Sequence, residues 1–251
     1  MSVDTDLLVV RNLVKRYGGL TATDQLSLNV RQGEMHAIIG PNGAGKTTLI
    51  KQLTGEIRSD DGSVQFAGKY IHRLSEPGRS HRGLARSFQI TSLFESFTVL
   101  ENVVLAVQAH SGHSFRFWRK AAANPALTAP ALEVLAMLQL EERKDVLVSS
   151  LSHGEQRQLE IAMALATRPQ MLLLDEPMAG MSIEDSTNLI ETLKQLKQRY
   201  TILLIEHDMD AVFTLADRIT VLVYGQAIAT GTPEEIRNNS DVRDAYLGEG
   251  A

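Results

Sequence analysis

At 251 residues the chain is long enough for one large domain with a sizeable apolar interior, and its 43% hydrophobic and 22% charged residues are those of an ordinary globular protein. A net charge of −5 leaves no chain-wide basic footprint for nucleic acid, and the lack of cysteine excludes disulfides and thiolate metal sites. The start, Met1 to Leu8, carries Asp4 and Asp6 without a basic cluster and does not read as a signal peptide. Apolar runs such as Val103 to Val107 fall far short of the roughly 20 residues of a membrane helix, so any work at a membrane needs spans from other chains.

The first forty residues read as β-rich. Leu7 to Val10 is a short apolar run, and Leu26, Leu28 and Val30 alternate with polar residues, as in a strand with one buried face. Met35 to Ile39 is apolar enough to be buried on both faces. It runs into a glycine-rich turn at Gly40, and from Lys46 the pattern is helical until near Gly55. Ser63 to Ala67 reads as a strand. Thr98 to His110 and Ala131 to Leu140 have helical periodicity. Ser111 to Pro130, with two prolines, reads as an irregular connection inside a helical insertion. Beyond it, helix and strand alternate: helix at Gln156 to Thr167, strand at Met171 to Leu174, helix at Glu184 to Arg199, strand at Thr201 to Ile205. Helix at Met209 to Ala216 and strand at Ile219 to Val223 continue the pattern. Such alternation implies a mostly parallel sheet with helices on its faces. Tyr224-Gly225-Gln226 reads as a turn into a last strand, Ala227 to Ala229. Thr232-Pro233-Glu234-Glu235 predicts a helix start, with Thr232 as cap and Glu235 completing a capping box.

Gly40-Pro41-Asn42-Gly43-Ala44-Gly45-Lys46-Thr47 matches G-x-x-x-x-G-K-S/T between a buried strand and a helix, and the loop runs on to Thr48. Its glycines let backbone N–H groups turn inward around phosphate oxygens, and the helix N-terminus adds partial positive charge. Lys46 is expected to reach the β- and γ-phosphates of ATP, and the Thr47 hydroxyl to ligate Mg²⁺. Met171-Leu172-Leu173-Leu174-Asp175-Glu176 is an apolar strand ending in two acids. In a parallel sheet that end lies beside the phosphate loop. Asp175 suits Mg²⁺, directly or through water, and Glu176 suits the role of general base toward the attacking water.

Leu151-Ser152-His153-Gly154-Glu155-Gln156, taken with those two motifs, resembles the signature segment of ABC-type ATPases, most often L-S-G-G-Q. Here His153 stands for the first glycine and Glu155 precedes Gln156. The resemblance covers essentially the whole chain. It implies an α/β P-loop NTPase core with a mostly parallel sheet, an antiparallel β subdomain and an inserted α-helical subdomain. In that division a single ABC ATP-binding domain spans residues 1–251. Roughly 1–94 and 152–251 form the β-rich, RecA-like core, and roughly 95–151 the helical subdomain. Residue by residue, the resemblance implies that Tyr17 stacks on adenine, that Gln89 senses Mg²⁺ and the attacking water, and that His207 contacts the γ-phosphate. Gln89 and His207 form the expected catalytic set with Glu176 and Lys46, and Thr47, Gln89 and Asp175 the expected metal set. Ser152, Gly154 and Glu155 stand at the start of a helix, itself an anion site. The family closes this segment over ATP bound to the opposite subunit of a head-to-tail dimer. The resemblance also places Ser182, in Ala179-Gly180-Met181-Ser182, where the family commonly has Asp.

Ala179-Gly180-Met181, Ile205-Glu206-His207-Asp208-Met209 and the tail from Gly231 to Glu249 look like importer ATPase subunits for branched-chain amino acids and related amides such as urea. Lipopolysaccharide-export ATPases have similar tails, and the helical insertion favours the amino-acid group. Partners implied are integral membrane permease subunits, a second ABC ATPase chain, alike or paralogous, and indirectly a solute-binding protein outside the cell. No nucleic acid is implied. The place implied is peripheral, on the cytoplasmic face of the inner membrane. Ile90, Leu93, Phe94 and Phe97 would line a groove for a coupling helix of the membrane subunit, or subdomain core. Ser114 to Lys120 mixes aromatic and basic residues that suit local packing, contact with the membrane subunit or lipid headgroups, or nucleic-acid stacking. A soluble, non-transport ABC ATPase is the alternative; a small-molecule kinase would share the phosphate loop and lack the signature segment.

Overall fold

The computed structural model describes residues 5–87, 93–110 and 124–247. Gln89, Ile90 and Ser114 to Lys120 lie outside them.

Two sheets organise the chain. The larger has six strands in the order β10-β9-β3-β8-β7-β6. These are β3 (Met35–Ile39), β6 (Leu84–Arg86), β7 (Met171–Asp175), β8 (Thr201–Ile205), β9 (Arg218–Val223) and β10 (Gln226–Gly231). All neighbours run parallel except β10, which returns antiparallel to β9. Every residue of β3, β7 and β8 is buried. A strand covered on both faces has no polar side to alternate with, which is why these read as unbroken apolar runs. Alternate residues still serve different cores. Leu172, Leu174, Ile202 and Leu204 pack with the helices α3 (Val99–His110), α4 (Pro125–Met137), α5 (His153–Ala166) and α6 (Ile183–Lys197). Met171, Leu173, Leu203 and Ile205 face α1 (Lys46–Thr54) and the smaller sheet. A third cluster joins Ala37, Ile39, Ile219 and Val221 to α7 (Met209–Leu215) and α8 (Pro233–Asn238).

The smaller sheet is antiparallel, in the order β2-β1-β4-β5, from β1 (Asp6–Tyr17), β2 (Leu20–Arg31), β4 (Asp61–Phe66) and β5 (Lys69–Tyr70). Strand β1 is three times the expected Leu7 to Val10 run. Its register slips between Val10 and Leu13, where Asn12 takes φ 49° and its N–H donates to Ser27 Oγ. The bulge breaks the period-2 pattern that a sequence scan relies on.

Two short elements lacked a periodic signal, α2 (Glu76–Ser80) and β6. The connection expected to be irregular up to Pro130 is corrected at its end. Asn124 caps α4 by accepting from the Ala126 N–H, and Pro125 takes the first turn, where its missing N–H costs nothing. Pro130 then sits inside the helix, so proline content misplaced the boundary. The helix predicted at Thr232 has its capping box: the Thr232 N–H donates to Glu235 Oε2 at 2.8 Å and the Glu235 N–H to Thr232 Oγ1 at 3.3 Å. The last helix, α9 (Ser240–Leu247), follows directly. No helix among the described residues is long and apolar enough to cross a membrane.

The far end of α1 is closed by a buried arginine. Arg79, 3% exposed, donates from one terminal nitrogen to the carbonyls of Gln52 (2.6 Å) and Leu53 (2.7 Å), and from Nε to Leu74 O (3.2 Å). It thus satisfies helix-end carbonyls that have no partner within the helix. Burial pulls its guanidinium down to about 10, which leaves it charged at neutral pH. Arg79→Met should lower unfolding stability by about 3 kcal/mol, because it strands buried carbonyls. Urea denaturation followed by circular dichroism checks this, and an unchanged midpoint would contradict the cap.

Candidate active site

The register of the parallel sheet brings three strand ends level. Ile38 of β3 and Asp175 of β7 both pair with Ile205 of β8. Gly40, Glu176 and Glu206-His207 therefore leave the sheet along one edge, at the carboxyl ends of the strands, where open α/β sheets bind ligands. Strand β8 lies between β3 and β7, so the segment carrying His207 emerges between the phosphate loop and the acids.

The phosphate loop needs glycine for steric reasons at two positions. A Cβ on Gly40 would stand on the Leu222 carbonyl oxygen, and one on Gly45 (φ 102°) on that of Ala22. Gly45 is also the N-cap of α1, so no side chain caps the first turn. The N–H groups that follow, on Lys46, Thr47 and Thr48, head a helix whose end attracts anions. Lys46 Nζ folds across the loop to the carbonyls of Gly40 (2.5 Å) and Pro41 (3.0 Å). Asn42 and Gly43 are exposed and Ala44 is buried, its carbonyl accepting from the Gly225 N–H at 2.9 Å. Thr47 is exposed at the head of the helix. Tyr17 ends β1, pairs with Leu20 and is 48% exposed, with Lys15 Nζ 5.6 Å from its ring centre. Its sheet meets the loop where Ala22 of β2 packs on Gly45 and Gly225.

Asp175 is 2% exposed and accepts from Arg86 at 3.0 Å through Oδ2. Burial pushes its carboxyl up from the ordinary range, and the Arg86 guanidinium opposes that shift. Glu176 takes φ 48°, a left-handed conformation that L-residues adopt at a cost of about 1–2 kcal/mol. The surroundings hold it there. Its N–H donates to Ile205 O (2.9 Å), and Arg157 of α5 donates to the carbonyls of Asp175 (3.2 Å) and Glu176 (3.0 Å). The half-buried Glu176 lines a cavity with His153, Gln156, Arg157 and Gly180. Glu206, 1% exposed, accepts the N–H of Met178 through Oε1 (2.9 Å) and that of His207 through Oε2 (3.1 Å). Burial raises its pKa against those backbone bonds. It fastens the turn after Glu176 to the His207 loop and leaves the imidazole 65% exposed.

The signature segment starts α5. Ser152 is its N-cap, with Oγ accepting the Glu155 N–H (3.2 Å) and Glu155 Oε2 accepting the Ser152 N–H (2.8 Å). The other Glu155 oxygen pairs with Arg143 at 2.6 Å. Glu155 therefore holds its own helix end, a capping box legible in the S-x-x-E spacing. The Gly154 position is closed by Asp185 of α6, whose carboxyl carbon stands 2.8 Å from where a Cβ would be. Asp185 in turn belongs to the cap of α6. Ser182 Oγ accepts the Asp185 N–H (3.1 Å) and donates to Asp185 Oδ2 (2.7 Å). The serine in place of the family's common Asp thus caps a helix.

Sequence reasoning placed Lys46, Thr47, Asp175, Glu176 and His207 on one edge, where the structure has them. It missed Arg86, Arg157 and Glu206, whose side chains tie the segments of this edge to one another. For Glu206 the available signal was an acid directly at the end of a fully apolar strand. For the two arginines no spacing marks the role.

Residues 23–179 match the model of the ABC transporter family, and residues 228–251 that of the branched-chain amino acid ATP-binding cassette transporter. The chain is 40% identical to the high-affinity branched-chain amino acid transport ATP-binding protein LivG of Salmonella typhimurium, over 97% of this chain and 98% of LivG. It is 37% identical to the corresponding protein BraF of Pseudomonas aeruginosa, with the same coverage. A crystal structure of the ADP conformation of an ATP-binding cassette from an ABC transporter superposes with a TM-score of 0.86 at 31% identity, over 97% of this chain and 99% of that one. A nucleotide-free cassette gives 0.85 at 32% identity, over 96% and 99%. With the phosphate loop, the paired acids and the capped signature helix in one fold, the chain belongs to the ABC transporter family as one of its ATP-binding, ATP-hydrolysing subunits.

Proposed function

We propose that this chain energises an ABC importer of branched-chain amino acids or related amides such as urea. What carries the assignment is the end-to-end likeness to LivG and BraF together with the match of the tail. By sequence alone that tail also resembles lipopolysaccharide-export ATPases; its match to the branched-chain model favours the amino-acid group.

In this mechanism the phosphates sit in the loop from Gly40 to Thr48, against the N-terminus of α1. Lys46 exchanges its two carbonyl contacts for the β- and γ-phosphates, and Tyr17 stacks on adenine. The Thr47 hydroxyl and an oxygen of Asp175 are hard donors that fit Mg²⁺, with Gln89 completing the set. Bound with ATP, Mg²⁺ spreads the charge that develops on phosphoryl transfer. Glu176, fixed by its turn, accepts a proton from the attacking water, and His207 holds the γ-phosphate. Ser152, with the N–H of Gly154, caps the γ-phosphate of a second ATPase chain, so two sites complete each other. Glu155 supports that cap from its own helix. The chain works peripherally on the cytoplasmic face of the inner membrane, against permease subunits fed by a solute-binding protein. Of the groove offered to a coupling helix, Phe94 and Phe97, stacked at 5.4 Å and 51% and 39% exposed, face outward, while Leu93 packs partly buried against the core. That groove lies at the junction between the core and the helical subdomain of roughly residues 95–151.

Native purification from the producing cell tests the transport assignment: integral membrane proteins should accompany the chain, and ribosomal proteins in their place would overturn it. Glu176→Gln should bind ATP, lose hydrolysis by about 10²–10⁴-fold and run as an ATP-dependent dimer on gel filtration. Undiminished turnover would remove Glu176 as the base. Ser152→Ala should depress hydrolysis far more than nucleotide binding by the isolated monomer, with Ser152→Thr keeping the helix cap as a control. Equal loss of binding and turnover would contradict action across the dimer.

A further inference from the structure

Arg86 has no part in the mechanism above, yet it is built into the site. It ends β6, the edge strand, and pairs in register with Leu173 of β7. Its guanidinium spans two acids on different elements. One terminal nitrogen donates to Asp175 Oδ2 at 3.0 Å, the other to Glu56 Oε2 at 3.1 Å. Glu56 directly follows Gly55, the C-cap of α1, and also meets Lys51 at 3.0 Å. The Arg86 side chain is 10% exposed, Asp175 2% and Glu56 40%. Among the described residues the buried Nε of Arg86 has no hydrogen-bond partner. The planar fork of the guanidinium is committed to two carboxylates, a geometry that lysine cannot reproduce.

The contact with Asp175 uses one carboxylate oxygen only. Holding Oδ2 restricts rotation of the carboxylate about its Cβ–Cγ bond, and the Arg86 fork does not engage Oδ1. We propose that Arg86 is a positioning residue for the metal carboxylate: it holds Asp175 by Oδ2 so that Oδ1 is presented to Mg²⁺, and through Glu56 it ties that orientation to the helix that carries the phosphate loop. The proposal rests on the assignment of Asp175 to Mg²⁺. Partners of metal-binding side chains are typically worth about 10–100-fold in metal affinity. Lysine in place of Arg86 keeps the charge but cannot fork to both acids.

The test uses the full chain and a fluorescent ATP analogue, titrated in excess chelator and then at rising Mg²⁺. Arg86→Lys and Arg86→Gln should bind the analogue within about two-fold of the parent without Mg²⁺, and should need about 10–100-fold more Mg²⁺ for the metal-dependent gain. Glu56→Gln should shift the Mg²⁺ midpoint less, since the Asp175 contact remains. Asp175→Asn separates the two ideas. If it keeps the full Mg²⁺ response, the metal assignment of Asp175 fails and the proposal with it. If it loses the response while both Arg86 variants keep the parental midpoint, the proposal alone fails. Two other results overturn it: equal losses with and without Mg²⁺ would make Arg86 a packing residue, and a lower Mg²⁺ midpoint would make it a competitor for Asp175. Should Arg86→Gln not fold, Arg86→Lys, with its fold checked by thermal melting, carries the same comparison.

Discussion

Three adjacent strands with no exposed residue, β3, β8 and β7, fix everything else in this molecule. Burial on both faces leaves them no sideways freedom, because a slip by one residue would exchange the side chains destined for the α1 face and the helical face. Their parallel register sets Ile38, Ile205 and Asp175 level. Gly40, Glu176 and His207 are among the first residues beyond that line. Loops are normally the variable part of a fold. Here the loops that matter are short and begin where the rigid strands end.

Those loops are then tied to one another by buried polar side chains. Arg157 reaches out of α5 to the carbonyls of Asp175 and Glu176, and Glu206 reaches from the end of β8 to the N–H groups of Met178 and His207. Arg79 closes the far end of α1. Each satisfies backbone groups that would otherwise be buried without partners. The arginines also join elements distant in sequence. Arg157 ties the start of the signature helix to the turn that carries Glu176.

The sequence spoke clearly where one residue type had one job. The phosphate loop was legible because its glycines are demanded by carbonyls pressed against them, and the strands of the large sheet because burial on both faces forbids polar residues. The signature helix was legible as a motif, although the S-x-x-E capping box within it was recognised only in the structure. Polar residues inside regular elements were hidden. Arg11, Asn12, Lys15 and Arg16 concealed most of β1, since a bulge shifts the phase of alternation. Pro125 and Pro130 concealed the first half of α4, because proline is compatible with a helix start and the preceding Asn124 was the overlooked cap. Arg86, Arg157 and Glu206 acquire meaning from partners 18 to 89 residues away in sequence, a distance over which spacing carries no information.

The left-handed turn at Glu176 also bears on how this chain can change over time. At φ 48° the backbone would be more comfortable with glycine, by about 1 kcal/mol. Selection for stability alone would therefore favour glycine here over any L-residue, a carboxylate included. A chain with glycine there would fold at least as well and still present a complete phosphate loop. Such a cassette would lack the carboxylate that the proposed mechanism uses as its base, through a single step that relieves backbone strain.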